Sequence, residues 1–369
     1  MKANHTFARA IVALSLLTSS AFAAGLTDGM TEGTVTLQSA GPLAFGPEGI
    51  LFVGDTKAAA VVAIATGDTK AGDAKPLKIE GIAQKIAGLV GTAPDQILIN
   101  DMAVNPASRS VYLAVARGRG PDAVPVIIRV KGGGEIEPVS LEKVKSSRLE
   151  LPNAPADAGT GGGGRQGNTR MESITDIGFL EDRVLIAGLS NEEFASTLRD
   201  VRFPFTKAEG GTSVEIYHGS HGKFETRAPV RTFVPLIVGN EPSVLAAYTC
   251  TPLVQFPIRE LKPGAKIKGK TVAELGNRNR PLDMISYRKD GKQFLLLSNS
   301  SRGVMKIAAD KITGAESITS PVQDKQGVGY ETIEAWKGID QLDRLDDKTA
   351  MVLARGEGDA LTLESRELP

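Results

Sequence analysis

One layout recurs six times along this chain: a short apolar strand, a turn of polar residues or glycine, a strongly apolar strand, a small polar loop and a third strand. The units begin at Pro42 (PLAFGPEGILFVGDTKAAAVVAI), Asp101 (DMAVNPASRSVYLAVARGRG), Asp176 (DIGFLEDRVLIAGLSNEEFASTL), Pro235 (PLIVGNEPSVLAAYTCTPLVQFPI), Asp283 (DMISYRKDGKQFLLLSNSSRGVMKI) and Asp340 (DQLDRLDDKTAMVLARGEGDALTL). Internal periods of roughly 40 to 60 residues signal a propeller or a solenoid, and four of the five intervals here fall in that range. The NP, DG, GN and PEG turns between short apolar runs are hairpin signals. Only KIEGIAQKIAGL, 78–89, has the spacing for a helical turn or two.

Segments such as KFETRAP (223–229) and KGKTVAEL (268–275) supply an outer strand after a unit. Four strands per unit make the blade of a β-propeller, whose circular closure removes the sheet edges that an open array exposes. The last unit has only three strands, whereas the chain begins with an unassigned one, GTVTLQSA (33–40). The expected fold is therefore all-β: a six-bladed β-propeller whose ring is closed by that N-terminal strand. Seven blades are the alternative, because 135–173 is long enough to hold further strands.

LFVGDTKAAAVVAI and FLLLSNSSRGVMKI resemble blades of the secreted NHL and YVTN propellers, in which an apolar strand ends in a short polar loop and returns as another apolar strand. The resemblance spans nearly the whole chain and implies the propeller fold. Such folds host lactonases, lyases, dehydrogenase subunits and interaction modules, so function has to be argued from the site. The acidic residues that open four of the units, Asp101, Asp176, Asp283 and Asp340, also resemble the channel-mouth aspartates of the gluconolactonase type of six-bladed propeller. That likeness implies calcium, with a metal-polarised carbonyl and an Asp or Glu as general base.

Export follows from the N-terminus. MKANHTFARAIVALSLLTSSAFAA carries Lys2 and Arg9, an apolar run from Ala10 to Leu17, and small residues ending in Ala21-Phe22-Ala23. This reads as a signal peptide over 1–23, followed by a single propeller domain over 24–369, periplasmic or secreted. The apolar run is far short of the roughly 20 residues that span a bilayer. With 43 basic and 43 acidic residues the formal charge is zero, which gives no electrostatic reason to expect nucleic acid or an anionic membrane. The expected partner is a small molecule or a periplasmic protein, and the expected state a monomer.

The repeat also serves as a map. If each innermost strand starts at the top of the central channel, four of the six units place a carboxylate there: Asp101, Asp176, Asp283 and Asp340. Converging carboxylates favour a bound cation such as calcium, or raise the pKa of one member for acid/base work. The alternative is structural, with each Asp accepting backbone N–H groups in its own interblade turn. The loops between second and third strands return to the same face with Asp55 and Lys57, Arg117 and Arg119, 191–193, Cys250, Asn299 to Arg302, and Arg355 with Glu357. Together with Glu172, which follows a Gly-rich loop (158–168) read as a flap, this set suits an anionic or polyhydroxylated small molecule. The candidate ligand contacts are Asp55, Arg117, Glu172, Cys250, Asn299, Arg302 and Arg355.

Beyond the leader the only histidines are His218 and His221. The map puts this HxxH on the bottom outer rim as an exposed hairpin turn, so neither a histidine-rich zinc site nor Ser-His-Asp catalysis is expected. Cys250, the only cysteine, is read either as a small, partly buried apolar thiol or as a soft-metal ligand or nucleophile without a nearby histidine. The functional expectation is an exported propeller that binds a small ligand, a metal ion or both at the top mouth of the channel, as in a metal-assisted hydrolase or lactonase. A non-catalytic periplasmic scaffold, or a subunit that docks a partner protein, is the alternative.

Overall fold

Side chains alternate between the two faces of a strand, so a strand buried on both faces must offer apolar groups to two neighbours. Ile50–Asp55 does this. Ile50 and Phe52 pack on one side with Ile177, Val184 and Ile186, while Leu51 and Val53 pack on the other with Ala103, Tyr112 and Ala114. A computed structural model of the chain describes residues 25–157 and 169–369, and in it this arrangement repeats around a closed ring of six sheets. Six large apolar clusters fill the interfaces between adjacent sheets. The protein is a six-bladed β-propeller, the architecture implied by the resemblance to NHL and YVTN blades.

Numbered in chain order, the innermost strands of blades one to six are Leu43–Phe45, Ile97–Val104, Asp176–Leu180, Thr232–Val238, Pro281–Lys289 and Ile339–Arg344. Their order in space differs: blade two sits between blades six and one, and blade one touches blade three. The outer strands explain the exchange. After the first three strands of blade one the chain crosses to blade six, adds Lys78–Glu80 to its outside and turns through the helix Ile82–Val90. It then builds blade two before returning with Val144–Glu150 as the fourth strand of blade one. The segment 135–173 does hold extra strands, Ile136–Pro138 and Val144–Glu150, but they complete blades two and one, so no seventh blade arises.

A strand from the N-terminal part of the chain closes the last blade, but it is Lys78–Glu80, paired with Thr362 to Glu364, and not 33–40. The earlier segment is held at blade one instead. Thr31–Gly33 pairs with Val144–Glu150, and the Asp55 carboxylate accepts the backbone N–H groups of Gln38 and Ser39, both at 2.9 Å. Residues 1–24 and the Gly-rich loop 158–168 lie outside the described residues, and with them the leader and the flap. Among the described residues no helix is long and apolar enough to cross a membrane.

Candidate functional site

Strand pairing defines which residues stand level at the channel. Asp176 lies opposite Ala187, and the corresponding pair in blade four is Thr232 with Ala247. Thr232 therefore holds the position that the sequence map gave to Pro235, three residues later. Blades two, five and six each carry a register shift at this point, between Ile99 and Asp101, Pro281 and Asp283, and Ile339 and Gln341. One extra residue changes which side chain faces inward. In blade six the bulge residue is Asp340, so Gln341 takes the channel position and Asp340 pairs with Arg355 on the surface. The fourth channel carboxylate is Asp343, two residues past Gln341 and hence on the same face of the strand.

Each of the four aspartates reaches across to the next blade. Asp101 Oδ2 accepts from Leu43 N at 2.6 Å, Asp176 Oδ2 from Phe233 N at 2.7 Å, Asp283 Oδ2 from Leu342 N at 2.8 Å and Asp343 Oδ2 from Val104 N at 2.7 Å. These bonds sew the innermost strands together around the ring. They link neighbouring blades instead of serving a turn within one blade. Three of the four also take their own following amide on Oδ1, at 2.7 to 2.8 Å. With its amide nitrogen turned to the acids, Gln341 donates to Asp101 Oδ1 at 2.8 Å and Asp283 Oδ2 at 3.0 Å, and so bridges them.

Burial dominates the titration of this tier, and Arg344 only partly offsets it at Asp343. Asp176 is pushed up to about 7 and Asp343 to about 6, both by desolvation that their backbone hydrogen bonds only partly offset. Asp101 and Asp283 lie well above the usual carboxylate range, through burial first and then through repulsion from the neighbouring aspartates. A carboxyl holding a proton near neutral pH can donate as well as accept, which is the property a general acid needs.

The tier opens into a cavity of about 580 Å³ that runs from Asp101, Asp176 and Asp283 past Asp343 to Arg109, Arg344, Asp346 and Asp347. Phe45, Phe179 and Phe233 form apolar parts of its wall. The far rim belongs to the turns between first and second strands, on the face opposite the loops chosen from sequence. Those loop residues do not line this cavity and have other partners. Asp55 is fully buried and clamps the 38–39 amides. Arg117 donates to Val90 O at 3.1 Å, and Glu172 pairs with Arg231 at 2.7 Å. Asn299 is buried against Asn279, Arg302 pairs with Asp324 at 3.2 Å, and Arg355 with Asp340. Gln341, Asp343 and Arg344 were missed because the repeat was aligned on the first acidic residue of DQLDR. The two-residue strand period linking Gln341 with Asp343 was the available signal.

The histidines also lie elsewhere than the map put them. Ser196–Arg202 is the third strand of blade three, so Thr212–His218 is the fourth and ends on the face where second and third strands meet. There it leans onto blade four, pairing in parallel with Lys266–Lys268 and accepting a bond from Thr271 Oγ1 on Tyr217 O at 2.7 Å. His218 and His221 thereby come beside Cys250, with ligand atoms of all three within 4.8 Å of one another. All three are of the residue types that ligate borderline-soft metals.

No protein-family model matches the chain, and no curated protein matches it in sequence. Several solved structures are similar to it over most of their length. A PQQ-bound aldose sugar dehydrogenase from Streptomyces coelicolor is similar over 92% of this chain and 97% of its own, at 10% identity and a TM-score of 0.31. A putative oxidoreductase (glucose dehydrogenase) from Thermus thermophilus is similar over 92% and 100%, at 12% identity and 0.36. For a streptogramin B lyase the values are 92% and 97%, 11% and 0.28. Likeness at this level says nothing about ligand or chemistry.

Proposed function

We propose that this is an exported propeller that binds a small ligand together with a divalent cation such as calcium in the channel cavity, on the tier of Asp101, Asp176, Asp283 and Asp343. The observation that carries this reading is the meeting of four buried carboxyls in one cavity, with pKa values raised by burial, and at Asp101 and Asp283 also by repulsion, despite Arg109 and Arg344 at the far rim. A hard cation relieves that repulsion and prefers oxygen ligands. Interblade bonding uses only part of each carboxyl's acceptor capacity, so the structural role and the binding role coexist. The phenylalanine wall provides an apolar surface for the carbon frame of a bound ester or lactone, whose carbonyl the cation would polarise.

The test is a calcium titration of the chelator-treated protein by calorimetry, at about pH 5.5 and about pH 8. Protons held by the tier compete with the metal, so binding should be tighter at the higher pH. Asp101→Asn with Asp283→Asn should abolish it. Absence of binding at both pH values would leave the carboxyls as interblade ties alone. A panel of small lactones, assayed with and without calcium, then separates binding from hydrolysis.

A further inference from the structure

We propose that His218, His221 and Cys250 form a site for one borderline-soft transition-metal ion, zinc or copper, which fastens the outer strand of blade three to blade four. This site is separate from the channel and does not depend on the reading of it. Metal sites of this class are built from imidazole nitrogen and thiolate sulfur, and three protein ligands are enough when the remaining position is left to water or a further side chain.

The arrangement of the imidazoles carries the inference. Glu225 holds both rings, with Oε2 at 3.0 Å from His218 Nδ1 and Oε1 at 2.7 Å from His221 Nδ1. That leaves Nε2 of each ring as its free nitrogen. A carboxylate on the far nitrogen fixes the tautomer and orientation of a metal-binding histidine and makes it more basic. His218 is 2% exposed, and its Nε2 is buried with no hydrogen-bond partner. An unpaired nitrogen there costs free energy that coordination would recover. The ring centroids are only 3.9 Å apart, so the two imidazoles address the same small volume.

Cys250 is brought to that volume by an unusual turn. Cys250 and Thr251 both adopt left-handed backbone angles, with φ of 63° and 60°. The conformation is held by Cys250 N to Asn279 O at 2.7 Å and Thr251 Oγ1 to Gly276 O at 2.7 Å. Next to the histidines, Glu274 takes the amide of Gly219 on Oε1, while its buried Oε2 has no partner. Glu274 thus lies beside the site without belonging to the ligand group, and burial raises its pKa. On binding, the Cys250 thiol gives its proton to solvent and the sulfur coordinates as thiolate, with no change in oxidation state for zinc.

Cobalt(II), zinc and copper(I), each added alone to the chelator-treated full chain, test the proposal. One equivalent of cobalt should produce a thiolate-to-metal charge-transfer band, and one equivalent of zinc should abolish that band. Zinc should also raise Tm by on the order of 5 °C and slow alkylation of Cys250 at least tenfold. One equivalent of copper(I) should likewise abolish the cobalt band. Cys250→Ser should remove the band and the zinc-dependent rise in Tm. His221→Asn, at a more exposed position, should weaken zinc binding without unfolding the chain. A missing charge-transfer band, or zinc binding that survives in Cys250→Ser and disappears in Asp101→Asn with Asp283→Asn, would overturn the assignment.

Discussion

Asp343 Oδ2 accepts the backbone N–H of Val104 at 2.7 Å across 239 residues of sequence. This bond ties blade six to blade two, and so helps to close the ring where its last blade meets one built early in the chain. Asp343→Ala would leave the Val104 amide without its acceptor, a loss of about 1 to 3 kcal/mol. Asp343→Asn keeps an oxygen in place and should cost less. Urea unfolding of both variants checks the order, and an alanine variant as stable as the parent would show that the bond contributes nothing to closure.

Stability should fall as pH rises from about 4 to about 7. An unfolded aspartate titrates near 3.9, whereas folded Asp176 does so at about 7 and Asp343 at about 6, so between these values the folded state holds more protons. Stability is then greatest below the unfolded value and is lost through the folded one. For Asp176 the difference amounts to at most about 4 kcal/mol, reduced by the water that reaches the cavity. Glu225 acts in the opposite sense. Although burial opposes ionisation, the two histidines hold it at about 2, so its contribution is present above the unfolded carboxylate value and disappears on acidification through that range. In chelator, Asp176→Asn should raise the urea midpoint more at about pH 8 than at about pH 5. Equal shifts at both would contradict the raised pKa.

Arginines on the loop face should prove dispensable. Arg355 pairs at the surface with Asp340 and Asp359, and half-buried Arg302 pairs with exposed Asp324 and donates to Asn277 O at 3.2 Å; solvent-screened pairs of this kind contribute about 0 to 1 kcal/mol. Arg302→Ala and Arg355→Ala should shift Tm little and leave calcium binding unchanged. A large loss of binding in either would move the ligand to that face.

The fold was legible because blade strands are buried on both faces and so read as short apolar runs between turns. Six of these runs are visible in the sequence. Lys78–Glu80, by contrast, has only one buried residue, and nothing local indicates that it joins a blade whose other strands lie at the C-terminus. The acidic tier was legible at Asp101, Asp176 and Asp283. It was lost in blade six because a bulge is a backbone event without a side-chain signature, and one extra residue placed Asp340 outside and Gln341 inside. The same limit hid the neighbours of Cys250. Assigning the strand that ends at His218 to third place instead of fourth put the histidines on the wrong face.

Phe52 links core stability to the cavity wall. Its ring is fully buried, stacks on Phe179 at 5.5 Å and meets Phe203 edge-on at 5.0 Å. Phe179 in turn lines the channel cavity. Phe52→Ala should destabilise the protein by about 3 to 5 kcal/mol, the usual cost of removing a buried aromatic ring. Phe52→Leu keeps most of the volume and should cost much less. Because Phe179 loses the ring that supports it, the alanine variant should also bind a channel ligand more weakly, even under conditions where it remains folded. Comparing urea midpoints with ligand affinity for the two variants separates the effects. If affinity is unchanged in a folded alanine variant, Phe179 is positioned by its own strand alone.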